Sequence, residues 1–207
     1  MTGEVIFGGR DLTIEEVYAL ATRKASARLS DNSDFRESIV RSAAHVAETL
    51  ARDGVIYGVT TGYGDSVTTP VPLDLVPELP LHLTRFHGVG MGRFLTPEET
   101  RAVMASRLAS LVRGWSGASF ELVELLCEML RLDILPLIPA EGSVGASGDL
   151  TPLSYVAGAL AGERRVLFKD REMMSAEAFA EAGLKPCPFY TSYADDATTT
   201  LTLCPSP

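Results

Sequence analysis

The chain has 207 residues, of which 46% are hydrophobic and 22% are charged, a composition typical of a globular protein with a buried core. The formal net charge of -9 disfavours nonspecific binding to nucleic acid or to an anionic membrane surface. Residues 1–10 lack a signal-peptide pattern, and no apolar stretch is long enough to cross a bilayer. The three cysteines are odd in number and widely spaced, and they form no zinc pattern. We therefore expect a cytoplasmic protein with no metal, nucleotide, nucleic acid or membrane partner.

Helical patterns occupy most of the chain. Thr13-Ile14-Glu15-Glu16 and Thr96-Pro97-Glu98-Glu99 are capping boxes, each of which marks the start of a helix. Helices are predicted over these ranges: 13–30, 34–52, 96–113, 118–132, 152–160 and, capped by Ser175, up to Gly183. Two short runs, 165–168 and 172–174, predict a small β-hairpin. The fold class predicted is mainly α.

Two glycine-rich segments interrupt the helices. Residues 57–66 contain three glycines and show no helical period, so they are predicted to form a loop. Residues 142–149 are also glycine-rich and lead into the predicted helix 152–160. Loops of this kind can carry the chemistry of a protein, and both are candidate functional segments.

The residues of the second loop leave three interpretations open. Backbone N–H groups before a helix can bind an anion, but the spacing fits neither the phosphate loop nor the dinucleotide fingerprint. A serine nucleophile at Ser147 is the second, although Asp149 stands where the nucleophile elbow requires glycine. The third is a plain turn.

The wider run around Ser147 is more specific. Gly142-Ser143-Val144-Gly145-Ala146-Ser147-Gly148-Asp149-Leu150-Thr151-Pro152-Leu153-Ser154 closely resembles the signature of the histidine, phenylalanine and tyrosine ammonia-lyases. The resemblance implies that Ala146, Ser147 and Gly148 cyclise to the electrophile 4-methylideneimidazol-5-one (MIO), with Asp149 assisting. Small residues suit this reaction because the nitrogen of Gly148 must approach the carbonyl carbon of Ala146 very closely.

The first loop is similar to the other hallmark of this family. In Tyr57-Gly58-Val59-Thr60-Thr61-Gly62-Tyr63-Gly64 the leading tyrosine matches the residue that removes the substrate β-proton. The resemblance implies that Tyr57 is the catalytic base and that Gly64 lies in the substrate site. Thr60 and Tyr63 depart from the usual asparagine and phenylalanine. Without the second loop, Tyr57 would be interpreted as a ring packed under a turn.

Substrate choice is predicted from a third segment. Gly90-Met91-Gly92 matches a family segment, and this register places Phe86 and His87 at the pair that faces the substrate ring. The Phe-His combination mixes the pairs typical of different substrates, so the amino acid stays open. The other interpretation of His87 is that it only satisfies a backbone carbonyl.

The resemblance also implies a domain organisation. Residues 1–186 match the amino-terminal, MIO-bearing part of the family, whose members are more than twice as long and form homotetramers. Residues 187–207 are Thr-rich and match nothing in it, and we expect a divergent, disordered tail from a frameshift or truncation. The function expected is ammonia-lyase activity on histidine, phenylalanine or tyrosine. An MIO-dependent aminomutase, a non-catalytic remnant and, more remotely, a serine hydrolase are the alternatives.

Overall fold

The computed structural model describes residues 3–62, 64–72, 74–76, 78–144 and 150–187. These ranges contain seven α-helices: α1 Ile14–Ala21, α2 Ser33–Asp53, α3 Leu79–His87, α4 Pro97–Leu111, α5 Phe120–Leu132, α6 Leu150–Leu160 and α7 Ser175–Ala182. A short 3-10 helix, Gly64–Thr68, follows the first glycine-rich loop. The mainly α prediction is confirmed. The predicted tail beyond residue 187 lies outside the described residues.

Strands form three small sheets within the described ranges. The first pairs β1 (Gly3–Phe7) in parallel with β2 (Ala25–Leu29). The second pairs β3 (Met91–Phe94) in antiparallel orientation with β5 (Pro139–Glu141). The third contains β4 Leu135–Pro136, β6 Arg165–Phe168 and β7 Arg171–Met174, in the order β4-β6-β7. The hairpin prediction is confirmed, with a two-residue turn at Lys169 and Asp170, both of positive φ.

The sequence predicted that the first helix extends to about Ser30. This prediction was wrong, because the helix is shorter. It ends at Ala21, and Arg23 adopts the left-handed conformation with a φ of 57°. Residues 25–29 instead form β2, because pairing with β1 places Ala27 beside Val5 in the core. This pairing depends on residues about 20 positions apart, and tertiary contacts of this kind override local helix propensity. Ser175 is likewise the first residue of α7 and not its cap, since Met174 precedes the helix.

The core is built around α5. Val123, Leu126 and Met129 on this helix are fully buried, and Met104 and Leu108 of α4 pack with them in the same hydrophobic cluster. A fully buried leucine or methionine contributes about 1.5–3 kcal/mol relative to an exposed one. Helices α4 and α5 therefore form the rigid frame on which the loops are mounted. No helix in the described ranges is both long and apolar enough to cross a membrane.

A buried ion pair joins the ends of three helices. Arg101 on α4 is 6% exposed, and its Nε and Nη2 donate to the two carboxylate oxygens of Asp133 at 2.6 and 3.0 Å. Its Nη1 donates to the carbonyl of Ala21, at the end of α1. Bidentate geometry and a third acceptor compensate the desolvation of the guanidinium. The pair sets the position of α1 relative to α4 and of α4 relative to the end of α5.

The start of α4 is stabilised by the predicted capping box. Thr96 Oγ1 accepts from the Glu99 backbone N–H at 3.2 Å, and the Glu99 carboxylate accepts from the Thr96 N–H at 2.7 Å. Arg93 of β3 also binds this carboxylate, at 2.9 and 3.2 Å. These hydrogen bonds, that of Arg93 first, lower the pKa of Glu99 to about 2. The box therefore connects β3 to the helical frame.

Replacement of the cap tests this role. Thr96→Ala removes the acceptor for the Glu99 N–H, and we expect the free energy of unfolding to fall by about 1 kcal/mol. Urea denaturation followed by circular dichroism measures the change. Ser106→Ala, at an exposed position in the same helix, is the matched control and is expected to leave stability unchanged or slightly raised. Equal effects of the two substitutions would contradict the capping role.

Candidate functional site

The phenol of Tyr57 is held by a backbone donor of its own loop. Helix α2 ends at Asp53, Gly54 forms a left-handed cap, and Tyr57 begins a turn with 61% of its surface exposed. The Gly64 N–H donates to Tyr57 Oη at 3.0 Å. Gly64 has a φ of 56° and is the first residue of the 3-10 helix, so its N–H has no acceptor within that helix. A fixed phenol oxygen at an exposed position is suitable for proton transfer.

Two threonines stabilise the turn that carries Tyr57. Thr60 Oγ1 accepts from the Ile56 N–H at 2.8 Å, and Thr61 Oγ1 accepts from the Gly58 N–H at 3.1 Å. Both threonines are buried. Thr60 stands where the resemblance leads us to expect asparagine, and its hydroxyl closes the turn locally.

Gly62 is required by a close backbone approach in this loop. A methyl group at this position would lie 2.4 Å from the carbonyl oxygen of Ser66. Thr61 also forms an isolated β-bridge with Pro70, across the base of the loop. Both contacts keep residues 57–62 close to residues 64–70, which fixes the position of Tyr57 relative to Gly64.

Phe86 and His87 form the last turn of α3. Phe86 is 78% exposed, His87 is half-buried, and their rings are in edge contact with centroids 5.2 Å apart. His87 Nδ1 lies 3.1 Å from the carbonyl oxygen of Leu83. Since a carbonyl only accepts, Nδ1 carries the hydrogen, and Nε2 of the neutral ring is an acceptor. The carbonyl contact considered in the sequence interpretation is present, but it involves only one of the two ring nitrogens.

The residues predicted to form the electrophile belong to the 142–149 loop. Ala146, Ser147, Gly148 and Asp149 lie outside the described residues. Their flanks are described: β5 ends at Glu141 and α6 begins at Leu150. The site predicted at this loop therefore remains a prediction.

Both flanks of the 142–149 loop contact the segment that follows Phe86 and His87. On one side, β3 pairs with β5. On the other, α3 packs against α6, and Tyr155 Oη accepts from the Gly90 N–H at 3.1 Å. A methyl group on Gly142 would lie 2.7 Å from Thr151 Cγ2 and 3.3 Å from Gly90 Cα. The structure thus brings the Phe86–His87 segment next to both ends of the predicted electrophile loop.

Two contributing residues were missed by the sequence interpretation. Tyr155 and Arg164 both reach from the α6 side to the 84–90 segment. Neither belongs to a motif, and they contact partners 65 and 80 positions away. The only signal in the sequence is glycine at positions 88 and 158, where arginine packs closely in the structure.

The surface around this segment is apolar and exposed. Phe86, Val89, Met91 and Val144 are each more than two-thirds exposed. Exposed apolar patches are typical of ligand-binding and protein-contact surfaces. The surface is consistent with a site completed by groups outside the described residues.

Close packing at Gly142 can be tested directly. Gly142→Ala introduces a methyl group against Thr151 and Gly90, and we expect a loss of about 1–3 kcal/mol in the free energy of unfolding. Adding Thr151→Ser removes the contacting Cγ2 and should recover part of this loss. Gly9→Ala is the control, because no atom lies within 4 Å of the added methyl group. Urea denaturation measures all three. An unchanged free energy of unfolding in Gly142→Ala, or no recovery on adding Thr151→Ser, would contradict the close packing of Gly142.

Comparison with known proteins places this geometry in context. The family model described as "Aromatic amino acid lyase" matches residues 12–192. A probable histidine ammonia-lyase from Thermoplasma acidophilum is 39% identical over 181 residues, which are 87% of this chain and 36% of the relative. Ergothionase from Treponema denticola superposes with a TM-score of 0.82 at 30% identity, over 88% of this chain and 36% of the enzyme. Phenylalanine aminomutase from Pantoea agglomerans superposes with the same TM-score at 29% identity, over 90% and 35%. The chain spans about a third of the length of these proteins.

Proposed function

The chain belongs to the aromatic amino acid lyase family, and on that basis we propose that it is the amino-terminal region of an ammonia-lyase. The substrate is histidine, phenylalanine or tyrosine, and the product is the matching arylacrylate: urocanate, cinnamate or coumarate. Residues 1–186 are the part that carries the electrophile. Residues 187–207 are a divergent tail.

One observation carries the proposal beyond resemblance. The Phe86–His87 segment is joined to both flanks of the loop that contains Ala146, Ser147 and Gly148, through the β3–β5 pair and the Tyr155–Gly90 hydrogen bond. A substrate ring held by Phe86 and His87 would therefore lie near this loop. A plain turn does not require this convergence.

The residue types fit the prosthetic group. Ala146 and Gly148 are small, as ring closure requires, Ser147 can lose water, and Asp149 follows as the supporting acid. Once formed, MIO supplies an electrophile to which the substrate can add. The described flanks suit a compressed loop, because Gly142 is already packed against Thr151 and Gly90.

The remaining residues act on the substrate directly. Tyr57 removes the β-proton, with its oxygen held by the Gly64 N–H. Phe86 packs against the substrate ring, and His87 Nε2 accepts a hydrogen bond from an imidazole N–H or a phenol hydroxyl. An accepting Nε2 favours a ring that carries a donor, and so favours histidine or tyrosine over phenylalanine.

An aminomutase is the second candidate. The phenylalanine aminomutase from Pantoea agglomerans has the same fold over nearly the whole of this chain. Such an enzyme returns ammonia to the β-carbon, so chromatographic detection of a β-amino acid distinguishes it from a lyase. The exposed apolar surface supports assembly of the whole protein as a homo-oligomer, a tetramer as in the family, in which other segments complete the site.

Ser147 provides the test of the electrophile. The intact mass of the purified chain is expected to be lower than the sequence mass by two water molecules, with the deficit in the peptide that contains Ala146-Ser147-Gly148. Ser147→Ala should restore one water or both and abolish ammonia release, because no methylidene can form. Ser106→Ala, at an exposed serine of α4, is the control and should keep the deficit. A full mass in the parent chain, or ammonia release at the parent rate in Ser147→Ala, would contradict the proposal.

Tyr57 provides the test of the base. Tyr57→Phe should keep the mass deficit but lower the rate of ammonia release by about 100-fold or more, the usual contribution of a general base. Absorbance of the arylacrylate product measures the rate. Tyr18→Phe, at another exposed tyrosine on α1, is the control and should keep the parent rate. Parent-level turnover in Tyr57→Phe would remove Tyr57 from this role. No turnover of any of the three amino acids by the parent chain would contradict catalysis by this chain alone.

A further inference from the structure

Arg164 crosses the junction between α6 and α3. It lies four residues beyond the end of α6, and its Nη2 donates to the carbonyl oxygen of Thr84 on α3 at 3.0 Å. Its guanidinium lies over the ring of Tyr155 on α6, with Cζ 4.7 Å from the centroid. The side chain is half-buried. One cation thus contacts both helices.

Two glycines make room for this side chain. A methyl group at Gly88 would lie 1.7 Å from Arg164 Nη2, and one at Gly158 would lie 2.6 Å from Arg164 Cγ. Gly88 follows α3 directly, and Gly158 is a buried residue of α6. The arginine therefore packs directly on the backbone of both elements, and no other side chain at either glycine is compatible with its position.

The contact occurs where a cation is favourable. The last carbonyl oxygens of a helix accept no hydrogen bond from an N–H group of the same helix. The helix dipole also places partial negative charge at this end. Thr84 is three residues from the end of α3, so Arg164 satisfies one of these carbonyls. Arg85 next to it binds Glu163 at 2.6 and 3.0 Å, which connects the same two segments.

The contacts bracket the proposed substrate-facing pair. Arg164 and Glu163 hold Thr84 and Arg85 before the pair, and the Tyr155 hydroxyl holds Gly90 after it. Phe86 itself is 78% exposed and has little packing of its own. The position of its ring is therefore determined by the backbone on either side.

We propose that Arg164 is a positioning residue, which fixes the Phe86–His87 segment against α6 and so sets its distance from the loop that precedes that helix. The distance matters for catalysis only if the proposed function is right, and in that respect this proposal rests on it. The contacts of Arg164 with α3 and α6, which we call the clamp, are a property of the fold itself. Arg164 touches no reacting atom. Its effect reaches the substrate through Thr84, Gly88 and the Tyr155–Gly90 hydrogen bond.

Hydrogen exchange measured by NMR tests the clamp without any assay of activity. In Arg164→Ala, the amides of Gly88, Val89 and Gly90 should exchange about tenfold faster, as expected when a hydrogen bond from a charged donor is lost. Amides of α5 should exchange at the parent rate. Arg165→Ala is the matched control: the same residue type one position later, exposed and paired with Glu172. It should leave all of these rates unchanged.

Two milder variants distinguish loss of the clamp from a general loss of structure. Arg164→Lys keeps a cationic donor for Thr84 and should recover part of the protection at Gly88. Tyr155→Phe keeps the ring under Arg164 and removes only the acceptor for Gly90, so Gly90 should exchange faster while Gly88 does not. Unchanged exchange at 88–90 in Arg164→Ala, or equal acceleration in α5, would overturn the proposal, as would Tyr155→Phe matching the parent at Gly90.

Kinetics then separates the clamp from the proposed function. If the parent chain turns over, Arg164→Ala should raise KM about tenfold with a smaller change in kcat, because the ring-facing pair is misplaced while Tyr57 is not. The mass deficit at 146–148 should be retained. No turnover in the parent with faster exchange in Arg164→Ala refutes the lyase activity and supports the clamp. A fall in kcat at constant KM would overturn the assigned positioning role.

Discussion

The approach of two chain segments, 84–94 and 139–164, is the constraint on which the candidate site depends. It is made by backbone at short distance: β3 pairs with β5, Gly142 packs against Gly90, and Arg164 lies directly on Gly88 and Gly158. A methyl group at Gly142 would lie 3.3 Å from Gly90 Cα, and one at Gly88 or Gly158 would displace the Arg164 side chain. The cyclisation that we propose requires a compressed loop, and closely packed flanks of this kind favour compression.

The junction is mounted on a separate and rigid frame. Helices α4 and α5 supply the fully buried Met104, Leu108, Leu126 and Met129, and the Arg101–Asp133 pair attaches the end of α1 to them. Strand β3 is attached to the same frame through Arg93 and Glu99, at the capping box of α4. The apolar side chains on the site side, in contrast, stay exposed. Exposed apolar area of this kind is typical of a contact surface.

Local patterns predicted a large part of this architecture. Capping boxes at Thr13 and Thr96 are both present, and the hairpin at 165–174 forms with its turn at Lys169 and Asp170. These features are determined within a few residues, so local reasoning is sufficient. The extension of α1 to Ser30 failed for the opposite reason. Residues 25–29 have acceptable helix propensity, and only their pairing with β1, some 20 residues earlier, makes them a strand.

The sequence by itself determined the mainly α class, the two glycine-rich loops and the family. A run as long and specific as 142–154 indicates the family without any knowledge of the fold. It also named Tyr57, Phe86 and His87 as candidates. Only the tertiary structure decided how they are held: the Gly64 N–H on Tyr57 Oη, the Leu83 carbonyl that accepts from His87 Nδ1, and the Arg164 and Tyr155 contacts across the α3–α6 junction. The last two join residues 80 and 65 positions apart. Hydrogen bonds of that separation depend on how helices pack, and no local periodicity encodes them.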